Sequence, residues 1–179
     1  MTDAEHYRKL ERLYATAPVT QWYGAAIRID AGTTEVRLSA RPEFHHAAGA
    51  VHGSVYFRAL DDAALFAANS RVTDVIVLTV SFTGHFVRPV QGGELRATGR
   101  LVHGGGQLFL AESHLFDASA RLLGKAAGRS FAAASRWTWP SVTSRQGAPK
   151  PPHPGMQPTG RTCARFRSGA GLLEHAKGT

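Results

Sequence analysis

The chain reads as an α+β protein in which an antiparallel sheet wraps one central, buried helix. Three observations predict this. Residues 53–70 are apolar almost all round, as in a helix buried on more than one side. Residues 75–133 hold four strand-like runs joined in series by short turns, which is how antiparallel neighbours connect. A two-strand pattern around a central glycine precedes the helix and reads as a hairpin.

Each element follows from local pattern. Asp3 is placed to cap a helix starting at Ala4, with Tyr7, Leu10 and Tyr14 at helical spacing, and that helix should end before Pro18. Residues 25–29 and 35–38 read as strands joined through Asp30-Ala31-Gly32-Thr33, and residues 41–46 as a loop. In the central helix Tyr56, Leu60, Ala63, Ala64 and Ala67 share one face. Ala63, Ala64, Ala67 and Ala68 are small enough for neighbouring backbone to approach closely. Residues 75–87 are rich in Val, Ile, Leu, Thr and Phe and read as a long strand that Pro89 ends. Gln91-Gly92-Gly93 turns the chain. Residues 94–102 alternate Leu95, Ala97, Gly99 and Leu101 against polar positions, as a half-buried strand does. His103-Gly104-Gly105-Gly106 reads as the next turn, residues 108–116 as a strand, and Asp117-Ala118-Ser119 as a turn. Residues 122–133 form the last strand, where Gly124 and Gly128 mark a bulge or a close backbone approach.

Composition narrows the function classes. The 179 residues are 43% hydrophobic and 19% charged, the balance of a soluble globular protein. No apolar run approaches the ~20 residues that span a bilayer. The first residues lack the basic region and apolar core of a signal peptide. Cys163 is the single cysteine, which excludes an intrachain disulfide and a multi-cysteine zinc site. These features suit the cytoplasm. After Ser135 seven basic residues face one acid, so that segment carries +6 of the net +8. Residues 1–135 are therefore close to neutral and give no electrostatic reason to bind nucleic acid. Residues 136–179 form a basic, Pro- and Gly-rich tail without periodicity, expected to be disordered, with Trp137 and Trp139 as its candidates for docking on the body.

Two adjacent carboxylates, Asp61 and Asp62, lie inside the apolar helix. Burying an unpaired charge is costly, so such acids are either paired or used. At the helix start the first N–H groups lack internal partners and carry partial positive charge. Gly53 there lets a ligand oxygen come close to the backbone, which makes an oxyanion or phosphate site. Asp61 lies about two turns further along on a different azimuth. One chain can then supply the oxyanion donor and a second chain the acid.

His52-Gly53-Ser54 followed by Leu60-Asp61 resembles the His-Gly-Gly…Leu-Ala-Asp stretch of the PaaI-type hotdog-fold acyl-CoA thioesterases. Phe86-Val87-Arg88-Pro89 resembles the Phe-Leu-Arg-Pro segment that this family has on the strand after its central helix. The spacing of the two segments fits, and the resemblance covers residues 13–134. It implies a homo-oligomer, dimer or tetramer, that hydrolyses an acyl-CoA, with Asp61 as nucleophile or general base and the Gly53 N–H as oxyanion donor. It implies that His52 orients the loop or the thioester and that Thr79 holds the attacking water. His46 stands where many relatives carry an Asn, and Ser54 replaces the second glycine. Arg88, Arg100 and Lys125 are candidates for the phosphates of coenzyme A. Coenzyme A enters as part of the substrate; no metal or redox cofactor is implied.

Each assignment has a structural alternative. Asp61 can pair with Arg58 one turn earlier. Asp62 can be a solvated or interface residue whose charge raises the pKa of Asp61. His52 can be a hydrogen-bonded structural histidine, Thr79 an ordinary β-branched strand residue, and the three cations solvated side chains. His45, His46 and His52 with Glu43 do not have a familiar metal-ligand spacing. The rival functions are a non-catalytic acyl-CoA-binding protein, a hotdog dehydratase or hydratase, and a nucleic-acid binder working through the tail. Aromatic and medium-chain acyl groups both stay open.

Overall fold

In the computed structural model, which describes residues 2–132, the N-terminal helix α1 (Asp3–Thr16) is followed by a short helix α2 (Pro18–Tyr23). Then come β1 (Ala26–Asp30), β2 (Thr33–Ala40), a 3-10 turn (Pro42–Phe44) and the central helix α3 (Gly53–Asn69). The strands β3 (Val77–Phe86), β4 (Gly93–Gly105), β5 (Leu108–Asp117) and β6 (Leu122–Ala132) complete the described residues. All six strands join one antiparallel sheet in the order β1-β2-β4-β5-β6-β3. The sheet curls around α3, which contacts every strand. The expected boundary at residue 135 and the tail at 136–179, with Trp137, Trp139 and Cys163, lie outside the described residues.

The expected helix face is the core. Tyr56, Leu60, Ala63, Ala64 and Ala67 are all buried, against Val36, Leu38, Leu95, Ala97 and Leu115 of the sheet. The alanines do admit backbone. Thr34 Oγ1 donates to the Ala63 carbonyl at 2.5 Å. Gly99 lies so close that a Cβ there would fall 2.0 Å from the same oxygen. Gly124 and Gly128 are also close approaches: a Cβ would lie 3.0 Å from the His85 carbonyl and 2.6 Å from the Phe82 ring, respectively.

Local readings differ from the structure at four places. The cap of α1 is Thr2, not Asp3: Thr2 Oγ1 accepts from Glu5 N while Glu5 Oε2 accepts from Thr2 N, a reciprocal capping box. Pro18 does not merely end α1 but opens α2, because proline at a first helical position loses no needed hydrogen bond. The hairpin turn narrows to Ala31-Gly32, with Asp30 paired to Thr33 and Gly32 at φ +70°. His103, Gly104 and Gly105 belong to β4, paired to Leu110, Phe109 and Leu108, so the turn is only Gly106-Gln107.

Candidate active site

The helix α3 and the edge strand β3 meet along a seam whose two sides match residue by residue. Gly53, Phe57 and Asp61 are spaced i, i+4, i+8 along α3. The Phe86 ring lies against Gly53, where a Cβ would come within 3.1 Å of it. Phe82 meets Phe57 edge-to-face, with centroids 5.1 Å apart. Thr79 Oγ1 donates to Asp61 Oδ1 at 2.9 Å. The azimuthal offset expected between Gly53 and Asp61 does not separate them from this strand, because i+4 rows slant along a helix and β3 follows the slant.

A bulge makes the strand side possible. The register of β3 on β6 shifts between Thr79 and Ser81, leaving Val80 as the extra residue, 65% exposed. Strict alternation would send residues 79 and 82 to opposite faces. The extra residue turns Phe82 and Phe86 to the face that Thr79 already occupies.

Asp61 is the unusual acid. Arg58, its expected structural partner, bonds Asp62 instead at 2.5 Å. Burial pushes the Asp61 carboxyl above the ordinary aspartate value; the Thr79 bond opposes this and the nearby Asp62 charge adds to it. Asp62 is neither solvated nor free: it is 7% exposed and also accepts from Tyr14 Oη at 2.8 Å. Burial pushes the Asp62 carboxyl up as well, against the Arg58 and Tyr14 bonds that favour its charged form. Arg58 further donates to Thr20 Oγ1 at 3.2 Å, so Asp62 and Arg58 pin α1 and α2 to the back of α3. Thus the two carboxylates separate into a buried structural acid and one facing β3.

At the start of α3 His52 is the cap. Its Nδ1 accepts from Ser54 N at 3.1 Å and lies 2.8 Å from Ser54 Oγ. His46 is held the same way, with Nδ1 accepting from Ala48 N at 3.0 Å. The rings are 6.4 Å apart. A ring nitrogen that accepts cannot carry the proton, so both neutral rings bear it on Nε2 and present a donor there. The structural reading of His52 as a cap therefore holds, and it leaves the outward nitrogen for a ligand. Gly53 is the first helical residue, so its N–H has no intrahelical acceptor.

The proposed phosphate contacts are not brought together. Arg88 lies just past β3, where Nη1 donates to the Leu122 carbonyl at 2.9 Å. Arg100 pairs with Glu112 at 2.6 Å on the outer face of the sheet. Lys125 stands on β6 opposite His85. The sequence reading missed Phe57 and Phe82 as contacts between α3 and β3 and Tyr14 as a partner of Asp62. The i, i+4, i+8 row Gly53-Phe57-Asp61 was the signal for the first.

A six-stranded antiparallel sheet wrapped around one helix is the hotdog fold, and the site sits where its central helix meets an edge strand. Residues 48–123 match the model of the thioesterase superfamily. The E. coli PaaI protein of the phenylacetic acid degradation operon superposes with a TM-score of 0.69 at 20% identity, over 76% of this chain and 99% of that one. A phenylacetic acid degradation-related protein of Ralstonia eutropha, described as a putative thioesterase, is 26% identical over 70% of this chain and 98% of its own, with a TM-score of 0.63. A thioesterase family protein of Silicibacter pomeroyi is 24% identical over 73% and 98%, with a TM-score of 0.67. No curated protein matches. The chain is PaaI-like in fold, and its central segment is similar to the thioesterase superfamily.

One consequence of the geometry is testable at Thr79. A base must be ionised to act, so if Asp61 is a catalytic base the acid limb of kcat/KM follows its pKa. Thr79→Val removes the bond that lowers that pKa and should move the limb to higher pH. A pH–rate profile of both proteins checks this; an unmoved limb counts against Asp61 as the titrating group.

Proposed function

We propose that the protein is a cytoplasmic acyl-CoA thioesterase, acting on an aromatic or medium-chain acyl-CoA in a homo-oligomer. One observation carries the reading: a half-buried carboxylate bonded to Thr79 while Arg58 pairs with its neighbour Asp62, on the same helix wall as an N-terminal glycine N–H. The Gly53 N–H polarises the thioester carbonyl and holds the oxyanion as the carbonyl carbon becomes tetrahedral. Asp61 takes a proton from water while the water oxygen bonds to that carbon; the C–S bond then breaks, and acid and CoA leave. Alternatively, the carboxylate attacks the carbonyl carbon directly, the C–S bond breaks and CoA leaves as thiolate, and water then cleaves the resulting anhydride to free acid and the restored Asp61 carboxylate. Thr79 orients Asp61 or the water. His52 and His46 offer Nε2 donors beside the carbonyl.

The two groups come from different subunits. Eight residues of helix separate Gly53 from Asp61 by about 12 Å along the axis. A donor to the carbonyl oxygen and an acid acting on the carbonyl carbon must each lie roughly 3 Å from their target, or one water away. One chain is too long for both tasks, and a second copy is needed. The edge strand β3 leaves Leu78, Val80, Phe86 and Val87 exposed, with Phe57 beside them, as a surface for that copy.

Release of free thiol from a panel of acyl-CoAs tests the activity; acyl-CoA binding with no turnover would instead favour a non-catalytic binder. The shared site has its own test. Gly53→Pro deletes the donor at a position where proline suits a helix, and Asp61→Ala deletes the acid. Each protein alone should be nearly inactive. Refolding them together should restore activity through mixed dimers that hold one intact site. No recovery in the mixture, or an active monomer by sedimentation, refutes the shared geometry.

A further inference from the structure

The seam between α3 and β3 ends in a polar contact that the proposed chemistry does not use. Gly53, Phe57, Asp61, Leu65 and Asn69 form one i+4 row along α3, and Asn69 is its last residue. The Asn69 amide meets Val77, the first residue of β3, with both its ends. Asn69 Oδ1 accepts from Val77 N at 2.9 Å, and Asn69 Nδ2 donates to the Val77 carbonyl at 3.0 Å. The amide thus pairs with Val77 as a residue of a neighbouring strand would. Val77 N–H can only donate and its carbonyl only accept, which fixes the direction of the amide. Nδ2 also donates to the Leu65 carbonyl at 3.0 Å, so both of its hydrogens are used. The main-chain carbonyl of Asn69 accepts from His6 Nε2 of α1 at 2.9 Å and from Val72 N at 3.1 Å. Asn69 is 2% exposed and Val77 0%, so a full set of partners is what lets a polar side chain sit there. The contact is closed within one chain and leaves the exposed side chains of β3 to the second copy.

We propose that Asn69 is a positioning residue: its amide holds β3 at the height along α3 that puts the Thr79 hydroxyl on Asp61. Thr79 follows Val77 by two residues and so lies on the same face of the strand. The register of β3 on β6 is unbroken from Val77 to Thr79 and shifts only beyond Thr79. A height fixed at Val77 therefore reaches Thr79 intact, whereas one fixed at Phe82 or Phe86 would have to cross the bulge. The other seam contacts are also of a different kind. Phe82 against Phe57 and Phe86 against Gly53 are ring contacts, which lack a fixed donor–acceptor geometry and tolerate sliding. Pairing with β6 holds β3 in the sheet but does not fix it against the helix. Residues 70–76, which join α3 to β3, belong to no helix or strand. Two bonds from one amide to one residue supply the missing constraint. The consequence for hydrolysis rests on the reading of Asp61 as base or nucleophile; the clamp itself does not.

The experiment reads the Asp61 carboxyl directly, through the pH titration of its side-chain carbon NMR signal. Thr79→Val in the parent should move the midpoint up, because a bond that favours the charged form is lost. In an Asn69→Ala background Thr79→Val should leave the midpoint nearly unmoved, since Thr79 no longer reaches Asp61 there. Asn69→Ser is the milder cut: a serine hydroxyl can bond back to the Leu65 carbonyl and keep the helix end, while the Val77 bonds are lost. It should abolish the Thr79→Val effect in the same way. The other charges acting on Asp61 are Asp62 and Arg58 of α3, whose partners lie on α1 and α2 rather than on β3. His6 of α1 bonds the main-chain carbonyl of Asn69, which every variant keeps. An equal rise in both backgrounds overturns the proposal and leaves Asn69 a purely structural residue, whatever its effect on Tm. No rise in the parent also overturns it, because Thr79 then has nothing to be positioned for. In turnover, kcat should fall by the same factor in Thr79→Val, Asn69→Ser and the double variant, with KM for the acyl-CoA unmoved. Losses that multiply in the double variant count against the clamp. A parent without turnover whose Asp61 midpoint still shows the coupling refutes the hydrolase reading and supports the clamp.

Discussion

Asp61→Ala should lower kcat by roughly 10²–10⁴, the usual effect of removing a positioned acid–base group. Asn keeps the shape and loses the charge, so Asp61→Asn should fall nearly as far. Acyl-CoA affinity should survive in both, because the carboxylate acts mainly in the transition state. Stability should move the other way. Burial raises the pKa of Asp61 above its unfolded value. An acid shifted upward weakens the fold wherever it is ionised, and the cost disappears once pH drops below the unfolded value. Asp61→Asn should therefore melt higher than the parent at neutral pH, and the gain should fade as pH falls through the carboxylate range. Asp62→Ala should show the reverse profile: turnover largely kept per folded molecule, but stability lost by about 3 kcal/mol, since Arg58 is left partly buried and unpaired. Thiol release, acyl-CoA binding and thermal melts on the three variants separate these outcomes. An active Asp61→Ala protein, or equal catalytic losses at Asp61 and Asp62, would sink the assignment.

Gly99→Ala should be the most damaging single methyl group in the described residues. The new Cβ would lie 2.0 Å from the Ala63 carbonyl oxygen and 2.6 Å from Thr34 Oγ1. The first obstacle is helix backbone, which cannot rotate away as a side chain can. Either α3 lifts off β4 or β4 bends, and both separate surfaces that are otherwise fully packed. Overpacking usually costs 1–3 kcal/mol, and this contact should exceed about 3 kcal/mol, lowering Tm by roughly 10 °C. Gly128→Ala meets only the Phe82 side chain on nearest approach and should cost less. Gly92→Ala meets nothing within 4 Å and serves as the control. A Gly99→Ala protein that melts with the parent would mean that α3 does not sit on Gly99 as described.

By itself the sequence determined the order of elements, the buried helix and its face, because apolar periodicity and small side chains are local properties that survive into the fold. It also singled out Gly53, Asp61 and Thr79, through spacing and through the family motif that residues 52–61 resemble. Apart from that motif, nothing local tells Asp61 from Asp62. Adjacent residues on a helix differ by only about 100° in direction, and which one meets Arg58 and Tyr14 depends on where α1 and α2 dock. Nor could alternation in residues 77–86 show that Thr79, Phe82 and Phe86 share a wall, since one inserted residue, Val80, reverses the parity midway. The His-Gly-Gly stretch at 103–105 read as part of a turn, yet pairing with β5 holds it in the sheet, because ladder hydrogen bonds outweigh a local preference.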